Sequence, residues 1–427
     1  MKYFFRAFIL PICLLLSVNI LPAQTPDCDQ TPIACMLDSL LSNYHYKVKN
    51  RMNNRNTVKN TFGYAETDVP SAEPQVIKDR MRRLGYEIPL NYNPQVQSFI
   101  DLYTVRRRDQ VEKILGLMPV YFPIFEEVFD KAGIPMEIKY LSIVESALNP
   151  HAISRVGATG AWQFMYYTAR LYNLDIDTYV DERRDPQKSA VAAAEYFKNM
   201  YRIYKDWHLV IAAYNCGPGN VNKAIRRSGG KTNFWEISPY LPAETRGYVP
   251  AFMAACYVFN YSAEHNLYAQ QVDFSYHQDT LHIVQCKLNL KELAATSGVE
   301  YELLKSLNPE LKTDFVPYSE KGYVLRVPAK ISQIAASNPE QVYKSSVAPV
   351  ETPALASNST DASNSRQLVS GKGNLTYYTV KSGDVVGNIA KKYGVTASQI
   401  AQWNGLRAYR INPGQRLKIY PRTQYKG

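Results

Sequence analysis

The sequence predicts a mainly α protein: one helical domain, then two small βααβ units. Three observations predict it. Apolar residues recur at helical spacing from Pro94 to about residue 265. Two later segments, 278–328 and 376–421, repeat one another. Between them, residues 329–375 are rich in Ser, Ala, Asn and Pro with little apolar pattern, the mark of a flexible linker. A chain of 427 residues exceeds one ordinary core, and 46% hydrophobic with 20% charged residues suits a globular protein.

The elements follow in order. Lys2 and Arg6 precede an apolar run, Phe8 to Ile20, and Leu21-Pro22-Ala23 offers a cleavage point, so residues 1–23 read as a signal peptide. Cys13 lacks the surroundings of a lipidation site, and no later stretch is apolar enough to span a membrane. Residues 24–93 read as a mixed helical and irregular arm. From 94 to 265, Val96, Phe99, Ile100 and Tyr103 open a helix, and Tyr121 to Ala132 makes a second, ended by Gly133 and Pro135. A buried helix is expected over Met136–Leu148. A loop follows Asn149-Pro150, then a short helix from Thr168 to Tyr172. Asp185-Pro186 is a strong start signal for a helix through Tyr204. Leu209 to Tyr214 is helical until Gly217-Pro218-Gly219, and Thr245 to Tyr261 closes the domain.

In the first repeat, His282-Ile283-Val284 and Val324-Leu325-Arg326-Val327 are strand-like, with helices Leu288 to Ser297 and Tyr301 to Asn308 between. In the second, Tyr378-Thr379-Val380 and Arg416-Leu417-Lys418-Ile419 flank helices Asp384 to Tyr393 and Thr396 to Asn404. The copies align without gaps from Val284 on Val380 to Asn308 on Asn404.

Net charge is +11, and it stays basic without Lys2 and Arg6. A basic chain suits nucleic acid, an anionic membrane or an acidic polymer. An exported chain with no clustered basic-aromatic stripe makes nucleic acid the weakest of these. No two cysteines have metal-ligand spacing; Cys28 and Cys35 could close a small loop or stay free. Neither metal nor organic cofactor is expected.

Glu145 falls on the apolar stripe of its helix, with Ile138 and Leu141 on the same side and Leu148 one turn on. A carboxylate there must be paired, hydrogen-bonded or kept neutral. A carboxyl that stays protonated near neutral pH is what a general acid needs. A structural Glu paired with a nearby Arg is the competing reading.

Around it stand Asn149-Pro150-His151-Ala152-Ile153-Ser154, Gly157-Ala158-Thr159-Gly160-Ala161-Trp162-Gln163-Phe164-Met165, Ala213-Tyr214-Asn215-Cys216-Gly217-Pro218-Gly219 and Glu244-Thr245-Arg246-Gly247-Tyr248-Val249. In this order the motifs resemble those of the lysozyme-like lytic transglycosylases, across roughly residues 94–265. Asp181-Glu182-Arg183-Arg184-Asp185-Pro186 resembles the subfamily of membrane-bound lytic murein transglycosylase D.

The resemblance implies a lysozyme-like fold and cleavage of the bond between N-acetylmuramic acid and N-acetylglucosamine, with the muramic C6 hydroxyl attacking to give an anhydro product. Glu145 would act first as acid, then as base. The substrate's acetamido group would take the place of a second carboxylate, and no second acidic residue lies within the Glu145, Gln163 or Tyr214 motifs. Ser154 is expected to bond the acetamido region or orient its loop, with a plain turn Ser as alternative. Gln163 is expected to line the cleft with Met165 packing nearby, and Gly157 and Gly160 to permit close approach or positive φ. Tyr214 is expected to aim its hydroxyl at Glu145 or the sugar, with core packing as alternative. Asn215 would hold the loop. Glu244 would bind substrate or, as favoured, pair with Arg246. Glu195 reads as mainly structural, and Trp162, Trp207 and Trp235 as core or cleft wall.

The C-terminal copies resemble the LysM glycan-binding module. The last copy keeps Ser382-Gly383-Asp384 and Trp403-Asn404-Gly405, so Gly383, Asp384 and Asn404 are its candidate glycan-binding residues, with Asp384 as helix cap. The first has Lys287-Leu288 where Gly-Asp would stand; whether it binds glycan or is a packing spacer stays open. The expected partner is peptidoglycan glycan in the periplasm or cell envelope; peripheral outer-membrane association and oligomeric state stay open. A hydrolytic muramidase of goose-lysozyme type and an inactive wall-binding scaffold are the competing functions.

Overall fold

The computed structural model describes residues 52–53, 60–272, 275–276, 278–283, 286–344, 346–347, 376–381, 384–395, 397–404, 406, 411–412 and 414–420. The expected signal peptide, Cys28 and Cys35, Gly383 and most of the linker lie outside these residues.

The helical domain is built around one largely buried helix. Helices α1 (Pro74–Arg83) and α2 (Pro94–Asp101) each begin with a proline that needs no donor, and Asn93 caps α2 by accepting from the Val96 amide. A single π-turn, Leu102–Arg106, leads into α3 (Arg108–Ala132). A 3-10 turn, Met136–Tyr140, precedes α4 (Leu141–Ser146), and α5 (Tyr166–Leu171) follows the next loop. Asp185 caps α6 (Pro186–Tyr204) through the Gln187 and Lys188 amides. Then come α7 (Trp207–Cys216), α8 (Pro218–Arg227), α9 (Phe234–Ile237) and α10 (Ala243–Asn260). From Tyr248 to Phe259 every residue of α10 is buried, so its polar groups must find partners inside the domain.

Three expectations change here. The helix expected over Met136–Leu148 is a 3-10 turn plus a six-residue α-helix, because Ala147 and Leu148 both turn left-handed (φ 53° and 63°). Helix α3 starts at Arg108, well before Tyr121; Pro119 and Pro123 lie inside it and mask its periodicity. Residues 74–90, read as part of the arm, belong to the main core, since Ile77, Met81 and Ile88 are buried in it and the Ile88 amide donates to Glu137 at 2.7 Å. Only two core residues on α1, set among Lys and Arg, gave too thin a stripe to read. Strands β1 (Met52–Asn53) and β2 (Gln271–Val272) pair antiparallel.

The second unit pairs β3 (Asp279–Ile283) antiparallel with β6 (Tyr323–Val327), Asp279 opposite Val327. Between them lie β4 (Lys287–Asn289), α11 (Leu290–Ser297), α12 (Tyr301–Leu307) and β5 (Phe315–Val316). Helices α13 (Ala329–Ser337) and α14 (Pro339–Tyr343) bury Ile331 and Val342 in the same core, and β7 (Ser346–Val347) pairs with β4. The unit thus extends to residue 344, into the stretch expected as linker.

The third unit pairs β8 (Thr376–Thr379) with β9 (Arg416–Ile419) and carries α15 (Val386–Lys392) and α16 (Ala397–Asn404). The repeat is reproduced in detail. Asn308 donates to Leu304 O and Arg326 O and accepts from Arg326 N. Asn404 does the same with Ile400 O, Lys418 O and Lys418 N. Its amide group thereby ties helix to strand. Asp384 accepts from the Tyr378 hydroxyl and the Lys381 amide, each at 2.8 Å, just ahead of α15.

Candidate active site

Glu145 stands at the last turn of α4, 8% exposed, with the two left-handed residues immediately after it. Non-glycine residues in that region cost free energy and persist only where the surroundings fix them. Here the Ala147 amide returns to Ile143 O at 2.8 Å and Leu148 to Ser142 O at 3.2 Å, while Ser146 reaches the Ala161 carbonyl at 2.9 Å. The end of α4 is thereby stitched to the next loop.

That loop, Ala152–Phe164, folds back through paired bonds between Thr159 and Phe164, both at 3.1 Å. Gly160 needs to be glycine: its φ is 89°, and a side chain would fall on the Arg183 carbonyl oxygen. Arg183 is the clamp of this loop. Buried, it forms two bonds to Asp181 (2.9 and 2.7 Å) and donates to Gly157 O at 3.0 Å and Phe164 O at 3.1 Å. Between those carbonyls Trp162 plugs into the core, edge-on to Phe125 and Phe129.

Gln163 is left-handed too (φ 49°), with its amide donating to Gly160 O and Ala152 O. Its Oε1 is buried and, among the described residues, without a hydrogen bond. Ser154 accepts from the Ala158 amide at 3.0 Å, so it orients the loop.

Tyr214 does not direct its hydroxyl at Glu145 as expected. It donates to Trp162 O at 2.6 Å, and its ring stacks on Phe197. The hydroxyl that meets Glu145 belongs to Tyr248 on α10, which donates to Oε1. Tyr248 lay inside a quoted motif, but no local pattern links positions that far apart in sequence. Asn215 accepts from the Thr245 hydroxyl at 2.7 Å and lies 3.5 Å from Glu244 Oε1, joining α7 to α10. Glu244 is exposed and, among the described residues, makes no ion pair with Arg246. Glu195 lies on the outer face of α6 in a groove with Glu127 and Val191, apart from Glu145.

Burial pushes the Glu145 carboxyl up to about 8, against the Tyr248 bond, which favours the ionised form, and with a small push from Glu244. Burial beside Glu145 also holds Tyr248 and Tyr214 well above the ordinary tyrosine value, so both stay protonated donors. The arrangement gives one carboxylic acid that is neutral near pH 7, buried, and bonded by a phenol.

Three segments of the chain match known families. Residues 123–236 match the transglycosylase SLT domain, 279–344 the LysM-like domain of lytic transglycosylase MltD, and 378–419 the LysM domain. The chain is 34% identical over 293 residues to membrane-bound lytic murein transglycosylase D of Escherichia coli K12, which covers 68% of this chain and 61% of that relative's length. It is 47% identical over 64 residues to the N-acetylmuramoyl-L-alanine amidase sle1 of Staphylococcus aureus USA300, covering 15% of this chain and 19% of that one. Among solved structures, the soluble lytic transglycosylase Slt70 of Escherichia coli shares 20% identity over 57% of this chain and 37% of its own, with a TM-score of 0.33. The stretch that carries Glu145 thus matches the transglycosylase SLT domain, and the chain continues with segments that match an MltD-type LysM-like domain and a LysM domain.

Proposed function

We propose that this chain is a lytic transglycosylase of peptidoglycan, cleaving between N-acetylmuramic acid and N-acetylglucosamine and leaving anhydro-muramic ends. The observation that carries the reading is the buried, protonated Glu145 held by Tyr248 in an SLT domain. Glu145 gives its proton to the glycosidic oxygen as the bond to the muramic C1 breaks. The substrate's acetamido oxygen bonds to C1 in its place. The C6 hydroxyl then attacks C1, its proton passes to the Glu145 carboxylate, and the acetamido group is released. No water is consumed and the acid is regenerated. Tyr248 stabilises the carboxylate between the two steps, and the unpaired Gln163 Oε1 supports a role for that side chain in receiving a substrate amide or hydroxyl once the loop admits it.

The leader-like N-terminal sequence supports export to the periplasm, where the substrate lies. The terminal LysM domain supports attachment to glycan, which raises the local substrate concentration even when each contact is weak. No helix among the described residues is long and apolar enough to cross a membrane.

The test is digestion of purified sacculi in heavy-oxygen water, with mass analysis of the products. Anhydro-muropeptides, each lighter than the hydrolysis product by one water and free of label, are expected. Labelled reducing muramic ends would replace this reading with that of a hydrolytic muramidase. Absence of any released fragment would leave the wall-binding scaffold.

A further inference from the structure

The repeat maps Gly383, Asp384 and Asn404 of the terminal copy onto Lys287, Leu288 and Asn308 of the first. In the first copy these positions face inward or toward the helical domain. Leu288 and Asn308 are wholly buried, and the Lys287 ammonium lies over the rings of Phe315 (4.3 Å) and Tyr179 (5.1 Å). Tyr179 belongs to the segment of the helical domain just ahead of Asp181.

That segment is seated in the first copy as if part of it. Val180 is buried in the second core and bridges Leu311 in antiparallel pairing. The Lys312 amide donates to Tyr179 O at 2.8 Å, the Asp181 amide to Glu310 O at 2.9 Å, and the Lys312 ammonium to Asp177 O at 2.7 Å. From β6, Arg326 reaches Asp185 at 3.2 Å and Gln187 at 3.4 Å while lying over the Tyr276 ring. The first copy thus grips the chain on both sides of Arg183, the residue that clamps the Gly157–Phe164 loop.

We propose that the first copy is an internal brace: it fixes Tyr179–Asp185 so that Arg183 holds the Gln163 loop beside Glu145, and it takes no part in binding glycan. This rests on the enzymatic reading above, but it makes a separate claim about what the module does. The Asp185–Arg326 pair supports it, being nearly closed to solvent, with the guanidinium at 14% and the carboxylate at 2% side-chain exposure. Losing one partner of such a pair leaves a buried charge unpaired.

The full chain tests the claim with Arg326→Met, Arg326→Lys, Lys312→Ala and Lys287→Ala. Turnover on soluble glycan strands, retention on sacculi, and amide hydrogen exchange of residues 157–164 are the readouts. Arg326→Met is expected to lower kcat about tenfold with KM nearly unchanged, as for a misplaced site rather than lost binding. It should speed exchange in that loop while leaving sacculus retention at the wild-type level. Arg326→Lys should restore part of the rate. Lys312→Ala, an exposed change, reads the same loop exchange should Arg326→Met fail to fold. Wild-type loop exchange in both Arg326→Met and Lys312→Ala would overturn the brace. Weakened sacculus retention by Lys287→Ala would show a glycan-binding module instead. Wild-type protein that releases no fragments while the loop responds as expected would sink the enzymatic reading and leave the brace standing.

Discussion

Glu145 ionises late because burial strips its carboxylate of water, and this has a cost that folding must carry. In the unfolded chain the group titrates near 4.5, in the folded one near 8. Between those values the native state holds a proton that the unfolded state has lost, so this group's contribution to stability is full below 4.5 and falls as pH rises toward 8. Glu145→Gln removes the titration. The variant is expected to melt higher than wild type near pH 8, with the gap closing as pH falls toward 4.5; an equal gap at both would contradict the shift. Tyr248 works in the opposite direction, since its bond favours the carboxylate. Tyr248→Phe should lower kcat about tenfold, the worth of one bond to a charged group, and should move the alkaline limb of the pH–rate profile upward. A limb that stays put would reduce Tyr248 to packing.

At the scale of elements, the site is a strained loop held by a clamp. Gly160→Ala puts a methyl group on the Arg183 carbonyl at a left-handed position, and should cost about 3 kcal/mol in denaturant unfolding. An unchanged midpoint would mean that the loop is free to move. How much of this could be read from sequence varied with the range of the interaction. Glu145, the loop glycines and the Asp185-Pro186 helix start were legible because periodicity, φ demands and capping act over a few residues. The break of the Glu145 helix at Ala147 was not, since neither Ala147 nor Leu148 signals left-handed backbone. Tyr248 and Arg183 escaped for a different reason. Glu145, and the Gly157 and Phe164 carbonyls, lie far from them in sequence, and only the packing of α10 and of the Asp181 turn brings them together. Tyr214 shows the converse: a tyrosine in the expected motif, whose hydroxyl the loop carbonyl takes first.

Across the whole molecule, the two βααβ units share a fold and differ in what they touch. The Asn308 and Asn404 networks match bond for bond, yet among the described residues only the first unit shares its core with the helical domain, through Val180. The terminal unit has its own core, from Val380 to Ile419, and its half-buried Asp384 accepts from the Tyr378 hydroxyl. Asp384→Ala, which frees that turn, should weaken retention on sacculi several-fold and leave turnover on soluble strands unchanged. Equal retention would place the glycan contact elsewhere.

All of this depends on one carboxyl group, so the most direct test is turnover of soluble glycan strands by wild type and Glu145→Gln from about pH 5 to about pH 9. The wild-type rate should fall as pH rises through about 8, and Glu145→Gln should release no anhydro-muropeptides at any pH. A Glu145→Gln protein as active as wild type, or a wild-type rate indifferent to pH across that range, would contradict the account.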